Sequence, residues 1–137
     1  MIEAQYIYTA VCYGEGSTGF EGFEATSVLE QVISGGREIG DLNYVSHWRN
    51  IGASFDGIDG TGVVVLEGPS CSFDKVLAHG PAPWSETSNV DGSRTVSGRF
   101  DNVDLRDMIG NSLLIFDGTA DGITEIACCE IEAEVWK

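Results

Sequence analysis

The chain is short of positive charge. Lys and Arg number 7 against 22 Asp and Glu, a formal net charge of −15. Such a surface repels phosphate backbones and anionic lipid, because nucleic-acid affinity comes from cations that displace counterions. Neither nucleic acid nor a membrane surface is an expected partner. Histidine is limited to His47 and His79, too few for a metal site built on imidazoles. Apolar runs are short, and none approaches the roughly 20 residues of a membrane-spanning helix. Met1-Ile2-Glu3-Ala4 lacks the basic start and apolar core of a secretory leader, so the chain is expected to be soluble as given, which would also suit the mature form of a secreted protein. No Cys-x-x-Cys pair occurs among Cys12, Cys71, Cys128 and Cys129, so zinc spacing is missing. Proline is scarce at three residues, which leaves few breaks in extended segments.

What is present fits one domain spanning residues 1–137, long enough to bury a core without metal. Eighteen glycines and short apolar stretches between turn signals predict an all-β fold. Candidate strands are Ala4 to Tyr13, Gly19 to Leu29, Tyr44 to Arg49, Gly62 to Glu67, Phe73 to Ala78, Arg94 to Phe100, Leu113 to Phe116 and Ile123 to Val135. Eight strands of this kind make an immunoglobulin-like Greek-key β-sandwich or flattened barrel. The first alternates only partly in polarity, which fits a strand covered on both faces better than one facing water. Thr26 to Ile33 reads either as a short helix, with Val28, Leu29, Val32 and Ile33 on one face, or as the second strand running into its hairpin. Ser34-Gly35-Gly36 and five Asp-Gly pairs, at 56, 59, 91, 117 and 121, mark turns. Gly80 to Ser93 holds two of the prolines and reads as the longest loop.

Several motifs stand in a telling order. Met108-Ile109-Gly110-Asn111-Ser112-Leu113-Leu114-Ile115-Phe116 precedes Ala120-Asp121-Gly122, and then Ile126-Ala127-Cys128-Cys129-Glu130-Ile131. Earlier come Ala10-Val11-Cys12 with Gly14-Glu15-Gly16, then Gly62-Val63-Val64-Val65-Leu66-Glu67, then Cys71 with His79-Gly80-Pro81. Together these resemble copper-zinc superoxide dismutases, in which an Ile-Gly turn leads into an apolar strand ending in a copper-binding His. The resemblance implies the same Greek-key sandwich. It also implies that the chemistry is gone. Val64 and Leu66 stand where a His-Val-His-Glu motif would supply copper ligands, and Phe116 stands at the last ligand position. None has a lone pair to donate. His79 alone could match the bridging ligand, and Pro81 to Asn89 holds neither His nor Asp where the zinc ligands would be. Glu125 takes the place of the Arg that guides superoxide, which reverses the local field.

Four cysteines allow three pairings. The resemblance selects Cys71–Cys128, and its adjacent first and last strands bring Cys12 toward Cys129 as a second bridge; without it, those two would be inert thiols. Other motifs are weaker. Asp56-Gly57-Ile58-Asp59-Gly60 lacks the alternating ligands of a calcium loop and reads as a turn. Gly14-x-Gly16-x-x-Gly19 has no βαβ context for a dinucleotide. The expected function is therefore non-catalytic: a structural or protein-binding module without cofactors or bound metal. The resemblance adds self-association as a homodimer, with Ile131, Val135 and Trp136 supplying apolar contacts. The alternatives are a degenerate copper protein with residual redox activity and an acidic binder of divalent cations or mineral. The compartment stays open, with an extracellular setting favoured slightly over the cytoplasm.

Overall fold

A strand exposes alternate residues on opposite faces, and the chain follows that rule from Ala25 to Ile33 and from Asp41 to Arg49. Ala25, Ser27, Leu29, Gln31 and Ile33 are buried, while Thr26, Val28, Glu30 and Val32 are exposed. Leu42, Tyr44, Ser46 and Trp48 are buried, and Asp41, Asn43, Val45, His47 and Arg49 are exposed. The segment from Thr26 to Ile33 is thus a strand, and its helix-like spacing of apolar residues comes from valines on the outer face.

A computed structural model of the chain describes residues 5–16, 21–34, 38–49, 61–69, 71, 76–78, 82–88, 93–100, 103–117 and 124–134. Among these residues the strands are β1 (Gln5–Gly16), β2 (Glu24–Ser34), β3 (Glu38–Arg49), β4 (Thr61–Leu66), β5 (Val76–Ala78), β6 (Ala82–Ser88), β7 (Arg94–Phe100), β8 (Ser112–Asp117), β9 (Thr124–Glu130) and β10 (Glu132–Ala133). One short helix, α1 (Leu105–Met108), precedes β8. The antiparallel sheet runs β5-β4-β8-β9-β1-β2-β3-β7-β6, with β10 also on β1. After the β1-β2-β3 meander the chain returns to lay β9 beside β1, a Greek-key connection. The all-β sandwich or barrel architecture expected from the sequence is therefore present, as a curled sheet.

Two strands exceed the expected eight. β6 lies inside the segment read as the longest loop. It pairs only with β7 among the described strands, and its register shifts between Ala82 and Ser85. That irregularity spans Pro83, which an edge strand tolerates because one side of it needs no N–H donor. β10 continues the last expected strand after a break at Ile131. There the backbone turns aside: Ile131 N–H donates to the Asn111 carbonyl at 2.8 Å, and Gly110 N–H donates to the Ile131 carbonyl at 3.0 Å.

The inner faces share one core. Ala10, Leu29, Leu42, Tyr44, Trp48, Val63, Val65, Val96, Phe100, Leu105, Leu113 and Ile126 belong to it, each fully buried apolar side chain contributing about 1.5–3 kcal/mol. Trp48 meets Phe23 edge-on at 5.9 Å, and Tyr44 meets Phe100 likewise at 5.8 Å. Polar groups inside are paired. Ser27 Oγ lies 2.9 Å from Ser46 Oγ and 3.3 Å from the Tyr44 hydroxyl, and Trp48 Nε1 donates to Ser46 Oγ at 2.8 Å. Burial pushes the Tyr44 phenol above its ordinary pKa.

Gln31 joins β2 to α1. Its Nε2 donates to the Gly40 carbonyl at 2.9 Å and to the Val103 carbonyl at 2.7 Å, and its Oε1 accepts from Leu105 N–H at 2.8 Å. Gln31→Met, similar in volume, leaves those three backbone groups without partners. It is expected to lower the unfolding free energy by about 2–4 kcal/mol, read from urea denaturation. A loss below about 0.5 kcal/mol would show that water replaces the amide.

Asp104 caps α1 by accepting from Arg106 N–H at 2.9 Å, and its carboxylate also takes Arg106 Nη2 at 2.6 Å and Nε at 2.9 Å. The Arg106 side chain holds its pKa below the usual carboxylate value, against a smaller upward push from burial. A carboxyl depressed in the folded state adds stability above its unfolded pKa of about 3.9, and this is lost as pH falls through the lower folded value. The stability gap between the native chain and Asp104→Asn should therefore narrow on acidification below about pH 4. A gap independent of pH would assign Asp104 no such role.

Candidate functional site

β4 and β8 have two apolar faces. Val63 and Val65 point into the main core with Leu113 and Ile115. On the other face Val64, Leu66, Leu114 and Cys71 form a second cluster, with Phe116 and Cys128 packed against it. The register sets Val64 opposite Leu114 and Gly62 opposite Phe116. Gly62 leaves room for the Phe116 ring: a Cβ on it would sit 2.6 Å from Phe116 Cζ, so the ring would have to shift. The three positions that the resemblance marks as lost copper ligands thus lie together on one face of the sheet. Their side chains do not fit copper, because none offers a donor atom. Glu125 is exposed on β9, opposite Phe116 in the ladder. His79 lies outside the described residues.

The Cys71–Cys128 bridge that the resemblance selects is present, and so is Cys12–Cys129, which the sequence left open against two free thiols. Cys71–Cys128 has a Cα–Cα distance of 6.1 Å and Cys12–Cys129 one of 5.6 Å. Adjacent Cys128 and Cys129 face opposite sides of β9, so one bridge joins the outer cluster and the other the core. Cys71 has a left-handed backbone with φ 52°. Its N–H donates to Ser112 Oγ at 2.9 Å, which with the disulfide keeps the residue in a region that non-glycine residues rarely occupy.

Other expectations distribute as follows. His47 is exposed on β3, with Nδ1 3.3 Å from Thr95 Oγ1. Ile131, expected to supply a dimer contact, is fully buried in the core and presents no surface; Val135 and Trp136 lie outside the described residues. Gly14 and Gly16 belong to β1. The Asp56–Asp59 segment lies outside the described residues. Among those residues no group of three or more His, Cys, Asp or Glu side chains is placed to hold a metal ion. A depression of about 360 Å³ is lined by Glu15, Glu21, Phe23 and Glu24. Glu24 is engaged there, accepting from Arg49 Nη2 and from the Tyr13 hydroxyl, each at 3.0 Å.

The surface that sequence reasoning missed is the outer face of β1, β2 and β3. Ile7 is 59 % exposed, Tyr13 50 %, Val45 45 %, Val28 38 % and Val32 37 %. Val11, half-buried, is opposite Val28, and Val28 is opposite Val45, so an apolar row crosses three strands. Ile7 is opposite Val32 on the same face. The expectation that β1 is covered on both faces is not met within a single chain. Sequence parity carried the signal: these valines alternate in phase with Thr26, Glu30, Asn43 and Arg49, which mark the solvent side.

Comparison with protein-family models, with curated proteins and with solved structures finds no match.

Gly62→Ala should cost about 1–3 kcal/mol through the clash with Phe116, and Phe116→Leu in the same chain should recover part of it. Additive effects in that double-mutant cycle would show that the two residues do not share the space.

Proposed function

We propose that this chain is a non-catalytic β-sandwich that serves as a structural or protein-binding module. The observation that carries the reading is the apolar cluster of Val64, Leu66 and Phe116. A copper site of the superoxide dismutase type needs imidazoles at these positions, and packed hydrocarbon stands there instead. The residues are far from inert filler, since they give the outer face of β4 and β8 its own packing beneath the Cys71–Cys128 bridge. Glu125 adds a negative charge where that family presents a cation to superoxide. A binding role is supported by the exposed apolar row on β1, β2 and β3. Two disulfides in one small domain favour an oxidising, extracellular setting.

Loading the purified chain with copper and zinc, desalting it and measuring both metals tests the reading. Less than about a tenth of an equivalent of each is expected from this donor set. Copper near one equivalent would overturn it. A chain carrying Val64→His, Leu66→His and Phe116→His together should gain copper; failure to gain it in a folded variant would remove the superoxide dismutase resemblance while leaving the non-catalytic reading in place.

A further inference from the structure

We propose that the outer face of β1, β2, β3 and β7 docks a second copy of this chain, face to face. The inference rests on the binding-module reading above and names the partner of that module. Three observations carry it.

The first is the apolar row itself. Val11, Val28 and Val45 align across the ladder and end at Ser97 on β7. They stand on long strands whose pairing is regular around the row, from Glu24 to Gln31 of β2 against Arg49 to Leu42 of β3, where side chains present an ordered surface instead of scattered single residues. Contiguous exposed apolar patches larger than a few hundred Å² mark interaction sites on soluble proteins, whereas single exposed apolar residues carry no such meaning.

The second is the arrangement of charge about that row. On β3, Asp41 and Arg49 stand on either side of Val45 at equal sequence distance, 45 − 41 = 4 and 49 − 45 = 4. Each is exposed and already meets one counter-charge of its own chain, Arg99 for Asp41 and Glu24 for Arg49. A two-fold axis lying in the interface along the valine row sets valine against valine. The same operation brings Arg49 of one copy over Asp41 of the other, and it does so twice because the interface is isologous. It also faces Glu30 with Thr26, a hydroxyl donor, and Arg99 with Thr95, and it sets Ile7 against Glu15 and Val32 against Glu24, so that apolar contact is concentrated on the valine row. The cations that this acidic chain spends on its outer face are thus placed to answer a second copy of that face.

The third is area. From Asp41 to Arg49 the face runs about 27 Å along the strands and about 19 Å across four of them, about 500 Å² per copy. Two copies bury about 1,000 Å², the lower limit for a specific interface. The long-range repulsion between two acidic chains falls off over about 8 Å at physiological salt.

Sedimentation velocity of the full chain from about 1 to about 100 µM, at about 0.15 M salt, tests the proposal. A concentration-dependent dimer is expected. Val28→Glu should leave the circular dichroism spectrum unchanged, because the side chain is on the solvent side, and should abolish the dimer; Val45→Lys serves the same purpose if that variant does not fold. Arg49→Asp and Asp41→Arg should each weaken the dimer about tenfold or more, and the double variant should return to within about threefold of the native chain. That rescue is a consequence of the two-fold geometry. A native chain that stays monomeric at the top concentration overturns the proposal, even where Val28→Glu abolishes binding to some other protein. A dimer indifferent to Val28→Glu overturns it too, since the interface then lies elsewhere. Neither result touches the non-catalytic reading, which falls only on copper uptake.

Discussion

The fold depends on how β9 is held against β1. From Gln5 to Glu15 every residue of β1 pairs with β2, but toward β9 the described pairs are Glu15 with Cys128 and Gly16 with Ala127. β10 adds Ala10 with Ala133 and Val11 with Glu132. Between these two short ladders the chain bends away at Ile131 to bond Asn111 and Gly110. The Cys12–Cys129 bridge sits in that interval and supplies covalently what the backbone ladder lacks. It closes a separation of 117 residues, and Cys71–Cys128 closes one of 57 nested inside it. Alone, either constrains the denatured chain by about 4–5 kcal/mol in the chain-entropy picture. Nested loops share part of that effect, so together they give less than the sum.

Because the two cysteines on β9 are neighbours, the alternation of the strand sends them to opposite faces. One strand therefore ties the core to β1 and, from its other side, the outer cluster to the turn after β4. Asn111 reinforces the same junction. Its Oδ1 accepts from Gly68 N–H at 3.0 Å, and its Nδ2 donates to the Asp107 carbonyl at 2.8 Å. The end of α1 and the exit of β4 are thus fastened through the Asn111 side chain, and the β9–β10 break through its backbone carbonyl, which helps a helix only a turn long to be fixed in place.

Much of this was legible in the residues. The glycine-rich turns and short apolar stretches predicted an all-β architecture, and the family resemblance led to the Cys71–Cys128 bridge while leaving Cys12–Cys129 open. What misled was polarity. β2 and β3 carry Ser27, Gln31 and Ser46 inside and Val28, Val32 and Val45 outside, the reverse of what a simple hydrophobic pattern assigns. A buried hydroxyl or amide is tolerated only when a specific partner reaches it, and those partners come from residues as distant as Val103 and Leu105. No local window contains them. β6 was missed for a related reason, since an edge strand with a proline and polar side chains draws its definition from the neighbour β7. The outer cluster at Val64, Leu66 and Phe116 was legible by resemblance, but its packing against Gly62 needed the register of β4 with β8.

The two outer faces of the sheet differ in how their apolar side chains are covered. On β4 and β8, Val64, Leu66 and Leu114 are buried beneath the turn bearing Cys71, so their hydrocarbon already contributes to stability within one chain. On β1, β2 and β3, valines of the same size lie open although the strands carrying them are the longest in the fold. Loss of the outer valines would cost one chain little, because a half-exposed valine gains only part of the transfer free energy of burial. The inner serines and glutamine impose a further constraint: their partners fix which face of β2 and β3 points inward, so a register slip cannot turn the valines into the core. A sheet locked in that orientation keeps its apolar row on the solvent side, so the remaining free energy of burying that row is not recovered within one chain.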